Sequence, residues 1–73
     1  MKTEDIKKLR ELSKARECLR QLDRMIELAN EKDAFASTDE QTVYALLGGL
    51  QLARMYIANI MSSLGDNSAY FVK

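Results

Sequence analysis

Residues 43–64 read VYALLGGLQLARMYIANIMSSL, and this stretch decides the fold. Its apolar residues recur at alternating spacings of three and four, which is typical of a helix packed along one face against another helix. Gly65 follows directly and predicts the helix end, because glycine readily adopts the left-handed C-cap conformation. We therefore predict a helix over about 39–64. Its packing seam is predicted to consist of Val43, Leu46, Leu50, Ala53, Ile57, Ile60 and Leu64.

A charged segment with one apolar stripe precedes this helix. The stripe has helical spacing over residues 4–32, which predicts an amphipathic helix. Thr3 is a suitable N-cap, and Glu4 and Asp5 favour the positive end of the helix dipole. The stripe consists of Leu12, Ala15, Leu19, Leu22, Ile26 and Ala29.

A short polar segment, residues 33–38, separates the two helical patterns. Ser37 with Glu40, or Thr38 with Gln41, has the spacing of a capping box that starts the second helix. A connection this short makes the two helices antiparallel neighbours.

The second helix is apolar around nearly all of its circumference. Between Gln41 and Gly65 its only charged residue is Arg54. A single amphipathic neighbour covers about one side, so the rest requires further copies of the chain. The tail, residues 66–73, is also too apolar for a solvated end, and we expect it to dock on the body or on a neighbouring subunit. The sequence predicts one all-α domain over 1–73, a two-helix antiparallel hairpin that assembles into a homo-oligomeric helical bundle.

Composition excludes several functions. The chain has 11 basic and 11 acidic residues, so no global field draws it to nucleic acid or to a membrane surface. It has no histidine and a single cysteine, Cys18, so the common catalytic and metal-binding arrangements cannot be built. We therefore expect a protein that is not an enzyme and uses no cofactor or metal. Gln51, Arg54 and Asn59 interrupt the only stretch long enough to cross a bilayer, and no secretory signal opens the chain, which predicts a cytoplasmic protein without a membrane span.

Basic residues in the first helix form the first candidate site. Residues 7–24 hold seven basic and three acidic side chains, and Arg10 and Lys14 share a face with Lys7 and Arg24. The ordinary interpretation is a solvated face with pairs four residues apart. The alternative is an anion site, built from two or more subunits, in which arginine binds phosphate in bidentate fashion.

Arg54 is the sharper candidate, because burying it without a partner would cost several kcal/mol. It must face solvent at a rim, pair with an acid on the first helix, or bind a ligand anion. Asn59 is interpreted either as hydrogen-bonded in a subunit interface or as lining a polar pocket. Tyr56 and Tyr70 are packing residues by default, but each could stack on a nucleobase.

Gly48 and Gly49 are the last candidates. Each destabilises a helix interior by about 1 kcal/mol relative to alanine, so each requires a reason. Either the helix crosses another closely or bends there, or the backbone approaches a ligand.

The run Leu50-Gln51-Leu52-Ala53-Arg54-Met55-Tyr56 resembles the Leu-Gln-x-(small)-x-Met-x run in the second helix of the phage anti-CBASS sponge proteins. The layout of a helix, a short connection and an apolar helix is also similar. The resemblance implies interlocked hairpins in a hexamer that sequester cyclic dinucleotides and trinucleotides without catalysis, and so block bacterial immune signalling. Asn59 stands where the family usually has a ligand-contacting arginine, and Ala53 and Gly48 replace a glycine and a threonine.

Three functions remain open on the sequence. The first is a homo-oligomeric sponge for cyclic oligonucleotides, with phosphates against arginine or lysine and bases against tyrosine. The second is a small homo-oligomeric regulator that binds a protein partner. The third, which the overall neutrality disfavours, is a hairpin dimer that grips RNA or DNA through the basic face of the first helix.

Overall fold

The computed structural model describes residues 3–70, and these residues form two long helices and one short C-terminal turn. Helix α1 spans Thr3–Asn30 and helix α2 spans Glu40–Ser63. Sequence analysis placed these helices at about 4–32 and 39–64, so α1 ends slightly earlier than expected. At that end the Asn30 side chain donates a hydrogen bond of 2.9 Å to the Ile26 carbonyl.

The two helices lie side by side and antiparallel. Arg54 of α2 contacts Asp23 of α1, and further along the chain Asp66 contacts Arg16, which lies nearer the start of α1. The later residue of each pair thus contacts an earlier position of α1, as expected for antiparallel neighbours. The expected all-α class with two helices is confirmed.

A series of turns, not a single loop conformation, connects the helices. Backbone hydrogen bonds link residues three apart, from Ala34 to Glu31, from Ala36 to Asp33 and from Thr38 to Phe35. Asp33 has a φ of 61°, a left-handed conformation that aspartate tolerates better than most residues.

The N-cap of α2 is Asp39, and both predicted capping boxes are wrong. The Asp39 carboxylate accepts hydrogen bonds from the Thr42 amide at 3.1 Å and from the Thr42 hydroxyl at 3.2 Å. Ser37 and Thr38 belong to the preceding turns instead. A carboxylate at this position satisfies an orphan amide and also carries a charge of favourable sign for the dipole.

The predicted stop at Gly65 is confirmed, and it takes the form of a Schellman motif. Gly65 has a φ of 94°, its amide donates to the Ser62 carbonyl at 3.0 Å, and the Asp66 amide donates to the Met61 carbonyl at 2.9 Å. These bonds satisfy the last carbonyls of α2. The chain then turns back, and Ser68–Tyr70 forms a 3₁₀ turn.

A small core joins α1, α2 and this 3₁₀ turn. Ala69 is 2% exposed and Met61 is 1% exposed, so the described part of the tail docks on the body of its own chain. The last tail residues, 71–73, lie outside the described part of the chain. The core consists of Leu12, Ala15, Leu19, Ala58, Met61 and Ala69, flanked by Ile57 and Leu64.

The predicted seam of α2 is wrong at two positions. Leu46 is 41% and Ile60 is 47% exposed, whereas their neighbours Leu47 and Met61 face α1. Both rows have helical spacing, so periodicity alone does not choose between them. The observed rotation places Arg54 beside α1, where Asp23 neutralises it.

Candidate ligand-binding site

Arg54 lies at the margin of the helix–helix contact with its side chain 20% exposed. Its Nε atom donates to Oδ1 of Asp23 at 2.6 Å, and its Nη1 atom donates to the carbonyl of Ala69 at 3.5 Å. Of the three situations predicted for Arg54, the structure shows pairing with an acid on the first helix. The side chain therefore ties α1, α2 and the C-terminal 3₁₀ turn together.

Asn59 and Tyr70 lie beside the same turn. The Tyr70 hydroxyl donates to Oδ1 of Asn59, while the Tyr70 ring stays half exposed. Three of the predicted ligand contacts, Arg54, Asn59 and Tyr70, are thus brought together, and each bonds to another part of the same chain. We call this set of contacts, with the ion pair between Arg16 and Asp66, the C-terminal clasp.

The ion pair between Arg16 and Asp66 was not predicted from the sequence. The Nε and Nη2 atoms of Arg16 donate to Oδ2 of Asp66 at 3.0 and 2.9 Å. The amide of Ser68 donates to the other carboxylate oxygen at 2.9 Å. Hydrogen bonds from Ser68, and then from Arg16, lower the pKa of Asp66 from 3.8 to about 2. The partners are 50 residues apart, so no local pattern could have indicated the pair.

Arg10 and Lys14 lie on the outer side of α1. Each is two residues from the buried Leu12, and a separation of two residues corresponds to a rotation of about 200° around the helix axis. Within residues 3–70 no carboxylate lies within 4.0 Å of their charged groups or of Lys7. We call Lys7, Arg10 and Lys14 the cationic stripe. Later in α1 the exposed arginines are paired instead, Arg20 with Glu17 and Arg24 with Glu27.

Gly48 and Gly49 do not mark the crossing of α1 and α2. A Cβ atom placed on either glycine would meet nothing within 4 Å, and α2 remains helical through both residues. The close-crossing interpretation is therefore wrong for the two helices of one hairpin. Any close approach at these glycines has to involve a group from outside the described chain.

Tyr56 is 57% exposed on α2, whereas the cationic stripe lies on α1. Tyr56 shares one side of α2 with Gly49, which is two helical turns away. The predicted site residues thus fall into separate regions: the C-terminal clasp, the outer side of α1, and the exposed sides of α2. One chain does not bring them into a single site.

Two shallow grooves occur elsewhere, and none of the predicted site residues lines either one. A groove of about 280 Å³ lies at the end of the hairpin where α1 begins, between Leu9 and Leu64. A groove of about 370 Å³ follows the connection, with Phe35 and Tyr44 among acidic residues. There the Tyr44 hydroxyl donates to Glu40 at 2.9 Å, and this bond raises the pKa of Tyr44.

The described residues show no grouping of three or more potential ligands that could hold a metal ion. Neither α1 nor α2 combines the length and the apolarity that a bilayer crossing requires.

Comparison with known proteins gives no match: no family model, no curated protein and no solved structure is similar enough to this chain to be informative.

Proposed function

We propose that this protein is a non-catalytic binding protein that assembles as a homo-oligomer and sequesters cyclic di- or trinucleotides, thereby blocking bacterial immune signalling. The observation that carries the proposal is the cationic stripe. Its charges lie in a row on the outer side of α1 without carboxylate partners within the described residues. A cyclic oligonucleotide presents closely spaced phosphates, which such a row suits.

The spacing of the stripe supports a small, compact anion. Lys7, Arg10 and Lys14 are three and four residues apart, so neighbouring side chains start about 5–6 Å from each other. The whole row spans roughly 10 Å along the helix axis, given a rise of about 1.5 Å per residue. Arg10 can bind one phosphate in bidentate fashion while a lysine binds the next as a point charge.

The bases of such a ligand need an apolar or aromatic surface, and Tyr56 supplies an exposed ring. Tyr56 and the cationic stripe lie on different helices and share no groove, so we place the site where two subunits adjoin. The proposal therefore requires a homo-oligomer, for which the resemblance to the sponge proteins implies a hexamer. Arg54, Asn59 and Tyr70 serve this arrangement by holding the C-terminal turn in place.

A thermal-shift series with matched ligands tests the proposal. A cyclic dinucleotide or trinucleotide present at 100 times its Kd stabilises the folded state by about 2.7 kcal/mol. For a chain of this size that corresponds to a rise in Tm of roughly 10 °C or more. A linear dinucleotide with the same bases is the control, and chromatography should recover the cyclic ligand unmodified.

Charge-removing variants locate the site. We expect the double variant Arg10→Gln/Lys14→Gln to lose most of the thermal shift, because both phosphate contacts are removed. Lys32→Gln is a control for the loss of a surface charge, since Lys32 is also exposed but lies in the connection. The proposal is refuted if no cyclic nucleotide raises the Tm, or if the double variant binds like Lys32→Gln. Binding of RNA or DNA that weakens steeply with salt would point to nucleic acid instead.

A further inference from the structure

Helix α2 has a second apolar row that the hairpin leaves uncovered. Leu46, Gly49, Ala53, Tyr56 and Ile60 follow one another at spacings of three, four, three and four. We call this row the free α2 face. It carries no charge, and its three large side chains are 41%, 57% and 47% exposed. Its spacing is that of a helix-packing seam, and it differs from the seam that contacts α1.

The surface area of the chain is too large for an isolated domain of its mass. The accessible surface is 5806 Å². A folded monomer of 8.3 kDa is expected to expose about 4,600 Å². The excess of roughly 1,200 Å² is larger than the ~800 Å² that each partner buries in a standard specific interface. A partner that buries ~800 Å² on the free α2 face would therefore remove about two thirds of this excess.

We propose that a second copy of this chain packs on the free α2 face through its own α2, about a two-fold axis. The two helices cross closely at Gly49 and Ala53. This inference rests on the proposed function in that a site between subunits needs a subunit interface, but its evidence is the surface of α2 and not the ligand. The two are compatible only where Tyr56 lies at the edge of the interface and keeps one face of its ring exposed for a base.

The shape of the free α2 face suits an identical partner. Its centre is low, because Gly49 has no side chain and Ala53 has only a methyl group, while Leu46, Tyr56 and Ile60 project on either side. Across a two-fold axis the projecting side chains of one copy meet the low centre of the other. Since the face has no charge, burying it against itself leaves no ion unpaired.

Two adjacent glycines provide a matched test. A Cβ atom at Gly49 or at Gly48 would meet nothing within 4 Å in the hairpin, so we expect either substitution to leave the fold of one chain intact. Gly48 is rotated about 100° from Gly49 and lies off the free α2 face. We expect Gly49→Leu to weaken association at least tenfold and Gly48→Leu to leave it unchanged. Sedimentation without ligand, at about 1–500 μM protein, measures the molar mass against that of the 8.3 kDa chain. The dependence of this mass on concentration gives the association constant of each variant.

Cross-linking gives a second readout that does not depend on disrupting the interface. In a Cys18→Ser background, Gly49→Cys places two thiols near the two-fold axis, where a disulfide needs Cα atoms less than about 7 Å apart. We expect mild oxidation to produce a covalent dimer from Gly49→Cys and little from Gly48→Cys. If Gly49→Leu does not fold, the cross-linking of the cysteine variants decides whether the interface forms.

The interface inference is overturned if the wild-type chain stays monomeric throughout the concentration range. It is also overturned if the two leucine variants associate equally, or if the two cysteine variants cross-link equally. A different result refutes the proposed function alone: the wild-type chain associates, but no cyclic nucleotide shifts its Tm. Association lost in Gly49→Leu together with a retained ligand shift would confirm the interface but remove the inter-subunit ligand site.

Discussion

Replacing Met61 by alanine tests which of the two apolar rows of α2 faces α1. Met61 is 1% exposed and packs in the core, whereas Ile60, which the regular heptad pattern favours, is 47% exposed. Truncating a buried methionine costs about 2–5 kcal/mol, from lost burial and from the cavity that remains. A chain of 73 residues is stabilised by only about 4–11 kcal/mol in total. We therefore expect Met61→Ala to remove a large part of the stability.

Ile60→Ala is the matched comparison, with a different expected signature. Because about half of the Ile60 side chain is already exposed in the hairpin, its truncation costs about 1 kcal/mol or less in the isolated chain. If a second copy covers the free α2 face, this cost rises with protein concentration, as association stabilises only the wild type strongly. The cost of Met61→Ala should not depend on concentration, since Met61 packs within one chain.

Urea unfolding followed by helical circular dichroism measures both effects. With a slope of about 1 kcal/mol per molar urea, Met61→Ala should lower the midpoint by about 2 M or more, and Ile60→Ala by about 1 M or less at low protein concentration. An Ile60→Ala midpoint as low as that of Met61→Ala in dilute protein would refute the observed rotation of α2. It would restore the seam predicted from periodicity.

Two further predictions concern the ends of α2. Asp39→Ala should destabilise the protein by about 1 kcal/mol, because an orphan amide loses its cap, whereas Ser37→Ala should change the urea midpoint little; the reverse order would restore the predicted capping box. Asp66 has a pKa lowered from 3.8 to about 2, so its contribution is present above the ordinary pKa and is lost as the pH falls towards the folded value. Asp66→Asn should therefore flatten the acid side of a plot of urea midpoint against pH, between about pH 5 and pH 2, and an equally steep loss in the variant would contradict the role given to the hydrogen bonds that Asp66 accepts from Ser68 and Arg16.

The candidate site shows where sequence reasoning reaches its limit. Predicted contacts such as Arg10 and Tyr56 were chosen by residue type, and the structure places them on different helices without a shared groove. For Arg54 the sequence left three situations open: exposure at a rim, pairing with an acid on the first helix, or binding of an anion. Pairing, and Asp23 as the partner, followed only from the packing of α1 on α2. The pair of Arg16 with Asp66 was not foreseen, since Asp66 has the composition of an ordinary turn residue.

The two helices, the stop at Gly65 and the surplus of apolar surface on α2 could all be predicted from the residue pattern. These depend on interactions between residues a few positions apart, which spacing and composition record directly. Only the tertiary structure decided which apolar row of α2 meets α1, and which row is left as the free α2 face. Both rows satisfy helical periodicity, so the choice depends on how Met61 and Ala58 fit against the α1 stripe and on where Arg54 finds a carboxylate. Those are contacts between distant parts of the chain, and local spacing contains no information about them.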